Sequence, residues 1–281
     1  MKLTQQEIIQ FQKKIYNYFN TFGRTFAWRE TDNPYYIFVS EVMLQQTQTK
    51  RVEKKYREFI ATFPDFASLA KARLHEVLRV WQGLGYNRRA KFLQQSAQII
   101  VFQHDGKIPN DVKKLQKLPG IGAATAASIA AFAFNLPTIF VETNIRAVFI
   151  HLFLNDKQNI SDTELLSLAS QTIDRTSPRI WYYALTDYGA MLKLNGINPI
   201  AQSKMYNKQS PFAGSDRQIR GAIIKCLLQN KKSNVKQLCD MLEKSLNAKP
   251  DRIKTIIETL VNEKLVTKQL VGKKSFYSLE S

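Results

Sequence analysis

The chain has 281 residues, 44% of them hydrophobic, so it can bury one large core or two smaller ones. Lys and Arg outnumber Asp and Glu by 41 to 23, giving a formal net charge of +18 at pH 7. Such an excess favours a polyanionic partner, either nucleic acid or an anionic membrane surface. No apolar stretch of about 18 residues is present, so no membrane span is predicted. The N-terminal residues lack a secretory apolar core, and we expect an intracellular protein.

The first 192 residues are predicted to be almost entirely helical. Apolar residues recur at helical spacing within 4–20, 85–103, 123–134, 143–154 and 162–174. The connections between these segments are short and contain Pro or Gly. This pattern predicts a mostly α fold.

The C-terminal part differs in composition and pattern. Residues 193–215 are polar, basic and weakly periodic, which predicts a surface linker. Three helical patterns follow at 216–230, 234–246 and 249–264, and then the alternating runs LVTKQL and SFYSLE around a GKK turn. Three helices and a hairpin are typical of a winged helix, a common DNA-binding module. A packing or dimerisation domain of the same shape is the alternative. The predicted domains are 1–192, the linker 193–215, and 216–281.

The segment LQKLPGIGAATAASIAAFAF carries the most specific motif of the chain. A short helix is predicted to end at Leu118, and a helix of small residues begins at about Ala123. Between them, Gly120 and Gly122 allow backbone amides to approach an anion at a helix N-terminus. This pattern predicts a helix-hairpin-helix in which Leu118, Gly120 and Gly122 contact a DNA phosphate without reading sequence. A plain helical hairpin is the alternative.

Three more runs stand in a fixed order around this hairpin: SEVMLQQTQ, WQGLGY and IFVETNIRAV. From about Phe22 to about Leu192 the chain resembles the helix-hairpin-helix (HhH-GPD) base-excision DNA glycosylases, and among them the A/G-specific adenine (MutY-like) glycosylases. The resemblance implies a two-lobed α fold with DNA in the cleft, Glu41 in one lobe and the hairpin with Glu142 in the other. It also implies a cytoplasmic, nucleoid-associated monomer that acts on double-stranded DNA with a mismatch or an oxidised base.

The resemblance assigns the chemistry to two carboxylates. Glu41 matches the general acid that protonates the adenine ring, and its apolar and uncharged neighbours predict a raised pKa. Glu142 matches the family's catalytic aspartate, which stabilises an oxocarbenium-like sugar. Because Glu is one methylene longer, we expect a compensated site or altered chemistry. A helix N-terminal acid is the alternative for Glu142. Asn144 matches an asparagine at the reacting sugar.

Further residues match the base pocket or the side chains that enter the duplex. They are Arg24 and Trp28 on the adenine side, Asp187 beside the flipped base, Gln46 in the base stack, and Tyr86 beside the partner base. Structural interpretations compete with these roles. Trp28 could be a core aromatic, and Tyr86 could pack behind its glycine turn. Asp187 could pair on a helix with Lys193 or Arg179.

The sequence also departs from the family. Ala124 stands where bifunctional relatives have a lysine nucleophile, so we expect water to be the nucleophile and no AP-lyase activity. The family's four-cysteine cluster normally follows the position of the linker, which has no cysteine here. Cys226 and Cys239 cannot supply four thiolates. We expect no iron–sulfur cluster and no other cofactor. Whether the hairpin binds a monovalent cation is a question that the sequence leaves open. A winged helix replaces the Nudix-like domain with which many relatives read 8-oxoguanine.

The predicted function is that of a monofunctional DNA glycosylase in base excision repair. It would hydrolyse the N-glycosidic bond of adenine opposite 8-oxoguanine or guanine. The departures at Glu142 and Ala124 leave two alternatives. One is a glycosylase for thymine or uracil opposite guanine, and the other is a non-catalytic protein that binds damaged DNA.

Overall fold

The computed structural model describes residues 1–204, 206–246 and 248–279, and the Glu280 end of the predicted C-terminal strand lies outside them. Helices dominate these residues, as predicted, and within them no helix is both long and apolar enough to cross a bilayer. The helices are α1 Gln5–Phe22, α2 Pro34–Leu44, α3 Thr49–Thr62, α4 Phe66–Lys71, α5 Leu74–Trp81, α6 Arg88–Gln103, α7 Val112–Leu115, α8 Ala123–Phe134, α9 Thr143–Phe153, α10 Asp162–Thr172, α11 Pro178–Leu194, α12 Asp216–Asn230, α13 Val235–Leu246 and α14 Pro250–Asn262. A 3-10 helix covers Pro199–Gln202, and the strands are β1 Lys232–Asn234, β2 Thr267–Val271 and β3 Lys274–Ser278.

The chain divides into two compact units. Unit 1 contains Met1–Glu41, Pro109–Lys117 and Ile121–Lys208, and unit 2 contains Val42–Ile108, Leu118–Gly120 and the described residues from Gln209 on. The expectation that Glu41 and Glu142 lie in opposite lobes is therefore wrong, since both belong to unit 1. The reason is local. The Glu41 side chain is hydrogen-bonded to Ser128 in α8 of unit 1, whereas the next residue of α2, Val42, already belongs to unit 2.

Unit 1 is held together by aromatic side chains of α1, α9 and α11. The ring of Phe11 lies 5.6 Å from Trp181 and 4.9 Å from Phe153, both in edge-on arrangements. Such pairs add to the stabilisation from apolar burial. A capping box between Thr4 and Glu7 begins α1. This core fixes the axis of α9, whose N-cap is Glu142.

A glycine in α11 sets how closely α9 and α11 approach. A Cβ atom built on Gly189 would lie only 2.2 Å from the carbonyl oxygen of Asn144. Glycine inside a helix costs about 1 kcal/mol relative to alanine. Here the missing side chain is what lets α11 contact the backbone at the start of α9.

The first part of the predicted linker is structured. The N–H of Ile160 donates to the carbonyl of Gln202 at 3.0 Å, and the N–H of Lys204 donates to Ile160 at 2.9 Å. These bonds form a parallel bridge between Ile160 and Ser203 beside the 3-10 helix. The segment up to Lys208 therefore belongs to unit 1.

Unit 2 combines α3–α6 with the C-terminal helices and sheet. Phe59 and Trp81 meet edge to face at 5.8 Å in the core of the first group. The second group has the predicted winged-helix order, and its antiparallel sheet runs β1–β3–β2. The sequence did not predict β1, because its three residues KSN are too short and polar to show an alternating pattern.

The third helix of the predicted winged helix, α14, is engaged within unit 2. Arg252 pairs with Asp216 at 2.5 Å. The buried Lys91 of α6 donates to the carbonyl oxygens of Glu263 and Lys264, just past the end of α14, at 2.7 and 3.1 Å. A lysine at this end of a helix complements its dipole. These contacts fix α14 on α6, and DNA binding by the winged helix stays a prediction.

Candidate active site

The Glu41 carboxyl group contacts α8 through Ser128, the sixth residue of that helix. The hydroxyl of the buried Ser128 lies 2.5 Å from Glu41 Oε2 and 3.0 Å from the carbonyl oxygen of Thr125. A hydroxyl has a single proton, which Ser128 can donate either to the Glu41 carboxylate or to the Thr125 carbonyl oxygen. Burial raises the pKa of Glu41 to about 7, and the charge of Glu142 adds to the rise. The Ser128 hydrogen bond and the Arg29 charge oppose the rise.

Glu142 is the N-cap of α9 and folds back onto its own helix. Its Oε1 accepts the N–H groups of Asn144 and Ile145 at 2.9 and 3.0 Å, and its Oε2 accepts Asn144 Nδ2 at 3.3 Å. Burial raises the pKa of Glu142, while these hydrogen bonds act in the opposite direction and favour the carboxylate. The extra methylene is thus accommodated by a bent side chain. Capping, which was the alternative to catalysis, is a real role of Glu142.

Asp187 accepts hydrogen bonds from two arginines, Arg24 and Arg29. Arg24 donates Nε and a terminal nitrogen to Oδ1 at 2.8 and 2.7 Å, and its backbone N–H reaches Oδ2 at 2.7 Å. Arg29 donates to both oxygens at 2.9 and 2.8 Å. The alternative pairing with Lys193 or Arg179 is therefore wrong. Because both carboxylate oxygens are occupied, the observed role of Asp187 is to hold the two arginines in place.

Arg29 was not predicted as a site residue from the sequence. Its guanidinium lies 4.4 Å from the centroid of the Tyr183 ring, and its charge opposes the rise in the pKa of Glu41. Its neighbour Trp28 is buried and stacks on Phe26 with the ring centroids 4.8 Å apart. One feature of the sequence could have indicated a role for Arg29: in the run FAWRE it directly follows Trp28, a predicted pocket residue.

The two predicted insertion residues of unit 2 share an uncommon backbone conformation. Gln46 has a φ of 51° and Tyr86 a φ of 47°, both in the left-handed region. Non-glycine residues rarely adopt it, and the surrounding structure must hold them there. Gln46 is exposed at the end of α2, and Tyr86 is half-buried before α6.

One buried side chain holds both turns, and the sequence analysis missed it. Arg89 follows the GLGY turn, and its guanidinium donates to main-chain oxygens on both sides. The acceptors are Val42, Met43 and Gln45 before Gln46, and Leu84 and Gly85 before Tyr86. Burial lowers the pKa of Arg89 to about 10, so it stays charged at neutral pH. The five N–H donors of a guanidinium can hydrogen-bond to several carbonyl oxygens that converge on one point.

The hairpin has two glycines with different surroundings. The first helix, α7, ends at Leu115 instead of Leu118, and Leu118 is buried. Gly120 has a φ of 75°, and a Cβ atom there would lie 2.8 Å from Phe92. Gly122 is the N-cap of α8, and a Cβ atom there would meet nothing within 4 Å. Gly120 is thus required by the fold, whereas Gly122 leaves open space at a helix N-terminus.

The residues of this chain do not fit an iron–sulfur cluster. Such clusters usually take four cysteine thiolates, and the sequence has only Cys226 and Cys239. They lie on α12 and α13 as free thiols. Within the described ranges, no group of three or more His, Cys, Asp or Glu side chains is placed to hold a metal ion.

Comparison with known proteins agrees with this geometry. Residues 39–173 match the HhH-GPD superfamily base excision DNA repair protein family. An adenine DNA glycosylase from Mycolicibacterium smegmatis is 31% identical over 278 residues, which cover 92% of this chain and 94% of the relative. The chain belongs to this HhH-GPD family. The prediction that the chain belongs to the base-excision glycosylase family, made from the order of its motifs, is confirmed.

One further relative and two solved structures are similar to part of this chain. An adenine DNA glycosylase from Buchnera aphidicola subsp. Baizongia pistaciae is 37% identical over 67% of this chain, which spans 54% of that relative. Among solved structures, a thermostable thymine-DNA glycosylase aligns with a TM-score of 0.60 and 26% identity over 68% of this chain and 89% of that one. A trapped endonuclease III–DNA intermediate has a TM-score of 0.59 at 21% identity, covers 76% and 93%, and shares the fold.

Proposed function

We propose that the protein is a monofunctional adenine DNA glycosylase that removes adenine opposite 8-oxoguanine or guanine. The observation that carries the proposal is the pair of carboxyl groups Glu41 and Glu142 in unit 1. One has a pKa of about 7 and a single hydroxyl contact, and the other is bound by backbone amides at a helix N-terminus. Two carboxyl groups in such different settings suit an acid and a stabilising anion.

Glu41 is the proposed general acid. At neutral pH a large share of this group is protonated, so it can deliver a proton to the adenine ring. The C–N glycosidic bond breaks with both electrons going to the base, which leaves as neutral adenine. Arg29, held by Asp187, limits the rise in the pKa and keeps it near the working pH.

Glu142 is the proposed stabiliser of the positive charge on the sugar. Its position is fixed before reaction by two amide N–H groups, so little reorganisation is needed when charge develops. Asn144, bonded to Glu142, orients the carboxylate or the attacking water. Water adds to the sugar and loses a proton, giving an abasic site. No lysine stands at position 124, which supports hydrolysis without strand cleavage.

The substrate is proposed to be double-stranded DNA with a mismatched or oxidised base, bound by a monomer in the cytoplasmic nucleoid. The net charge of +18 supports a polyanionic partner, and the open helix N-terminus at Gly122 supports a phosphate contact at the hairpin. In this proposal Gln46 and Tyr86 enter the duplex from strained turns. No iron–sulfur cluster takes part, and the basic segment after α11 contacts DNA in its place.

Thymine opposite guanine is the second candidate substrate. The likeness to a thermostable thymine-DNA glycosylase structure at 26% identity favours it. So does Ala124, an exposed small residue in the first turn of α8 where typical adenine glycosylases have a larger pocket side chain. The carboxyl pair would act in the same way on either base.

A glycosylase panel tests the proposal. Labelled duplexes carry adenine opposite 8-oxoguanine, adenine opposite guanine, thymine opposite guanine or uracil opposite guanine, and each is read with and without alkali. We expect alkali-dependent cleavage at adenine, reduced by at least about 100-fold in Glu41→Gln and Glu142→Gln. Glu53→Gln, an exposed carboxylate on α3, is the control and should match the wild type. Cleavage only at thymine would support the second candidate. Binding without cleavage in any duplex would contradict catalysis.

A further inference from the structure

The hydroxyl group of Tyr86 is held by the segment that leads into the C-terminal helices. Arg217, in the first turn of α12, donates to this hydroxyl at 3.1 Å, and the Gln209 side-chain amide donates to it as well. The Arg217 guanidinium lies 5.9 Å from the centre of the Tyr86 ring. The residue proposed to stand beside the partner base is therefore in direct contact with a cation of the C-terminal domain.

Arg217 is fixed in this position by its own surroundings. Ser215 caps α12 one residue before the helix begins, and Arg217 donates to the Ser210 carbonyl at 2.5 Å. Among the residues that the structure describes, no carboxylate forms an ion pair with Arg217. By contrast, Arg220 one turn further along is paired with Glu263. A half-buried guanidinium whose contacts are the Tyr86 phenol and the carbonyl and hydroxyl groups of Ser210 has further N–H donors for a ligand.

We propose that Arg217 reads the base opposite the excised one and selects a guanine-type edge. The inference rests on the proposed function, because it takes Tyr86 to lie beside that base. Guanine presents O6 and N7 as neighbouring acceptors that match the guanidinium fork, whereas cytosine offers an amino donor in the corresponding groove. 8-Oxoguanine carries a proton on N7, so there the guanidinium can donate one hydrogen bond to O6 and cannot use the fork. The C-terminal domain thereby contributes to specificity through the start of α12.

Binding to product-like DNA tests this separately from catalysis. The probes are duplexes with a tetrahydrofuran abasic analogue opposite 8-oxoguanine, guanine or cytosine, and dissociation constants are measured by fluorescence anisotropy at one fixed salt concentration. We expect the wild type to prefer the guanine-type partners. Arg217→Ala should weaken binding to the guanine duplex by about 10-fold, weaken binding to the 8-oxoguanine duplex by a smaller factor, and leave the cytosine duplex nearly unchanged. Arg217→Lys, which keeps the charge but loses the fork, should lose most of the preference too.

Lys225→Ala is the matched control, since it removes an exposed positive charge from the same helix. It should weaken all three duplexes by the same small factor. Equal losses in all three duplexes for Arg217→Ala, or a wild type without preference, would overturn the inference. The wild-type glycosylase assay judges the proposed function by itself, because a protein that excises nothing can still show or lack the partner preference. Thermal unfolding of each variant verifies that the fold is kept.

Discussion

The carboxyl groups of unit 1 and the insertion turns of unit 2 are prepared in different ways. In unit 1 the structure adjusts acidity: burial raises the pKa of Glu41 to about 7, and burial also raises the pKa of Glu142, whose two amide donors oppose that rise. In unit 2 it adjusts backbone conformation: Gln46 and Tyr86 are held in left-handed turns around the guanidinium of Arg89. The first arrangement suits chemistry, which depends on protonation, and the second suits mechanical entry into a base stack.

This difference predicts that variants of the two regions fail in different assays. A change in the carboxyl site should lower the excision rate and leave DNA binding intact. A change in the turns should lower DNA binding and protein stability first. Each of the following changes separates these outcomes.

The largest effect is expected at Glu142. Glu142→Gln removes the charge and should lower single-turnover excision by about 10²- to 10³-fold, as for other groups that stabilise developing charge. Glu142→Asp keeps the charge at a helix N-cap, where Asp also accepts amide N–H groups, and should stay within about ten-fold of the wild type. Equal losses in both variants would show that the folded-back glutamate is not interchangeable with the family's aspartate.

Gly189→Ala should have the next largest effect. The added methyl group meets the Asn144 carbonyl oxygen at 2.2 Å, so the start of α9 must shift and carry Glu142 with it. A shift of about 1 Å can cost about 100-fold in rate, and the overpacking should lower the free energy of unfolding by about 1–3 kcal/mol. Gly221→Ala on α12, where a Cβ atom meets nothing within 4 Å, is the control. Full activity of Gly189→Ala would contradict the close approach of α9 and α11.

Arg89→Lys should weaken unit 2. Lysine keeps the charge but cannot reach carbonyl groups on both turns, so we expect about ten-fold weaker binding to an abasic-analogue duplex. The free energy of unfolding, from urea titration, should fall by at least about 2 kcal/mol because buried carbonyls lose their donors. The neighbouring exposed Arg88→Lys should change neither quantity much. Loss of excision rate at saturating DNA with unchanged binding would contradict the assignment.

Gly122→Ala should have the smallest effect. The fold has room for the methyl group, so thermal stability should stay the same within error. If a phosphate lies against this helix N-terminus, the methyl group obstructs it, and binding to any duplex should weaken by a few-fold regardless of the base. Unchanged binding at low and physiological salt would mean that the phosphate lies elsewhere.

The sequence was informative where one short stretch determines the structure. The start of α8 at Ala123 follows from the LPGIG turn, and α12 matches its periodic pattern residue for residue. It was uninformative where residues far apart in the chain meet. Asp187 bonds Arg24 and Arg29 across about 160 residues, and Arg89 bonds carbonyls more than 40 residues away. No local pattern specifies such partners, so Arg29, Ser128 and Arg89 became visible only in the structure.

The central claim is that Glu41 delivers its proton with a pKa of about 7, and the pH dependence of excision tests it most directly. Because the pKa is raised, the acid is present below about pH 7 and is lost as the pH rises. Single-turnover excision should therefore fall by about ten-fold per pH unit well above 7. Ser128→Ala removes a hydrogen bond that lowers this pKa, so the falling limb should move to higher pH. A rate that stays constant from pH 6 to 9, on the order of three units across the expected transition, would contradict the account.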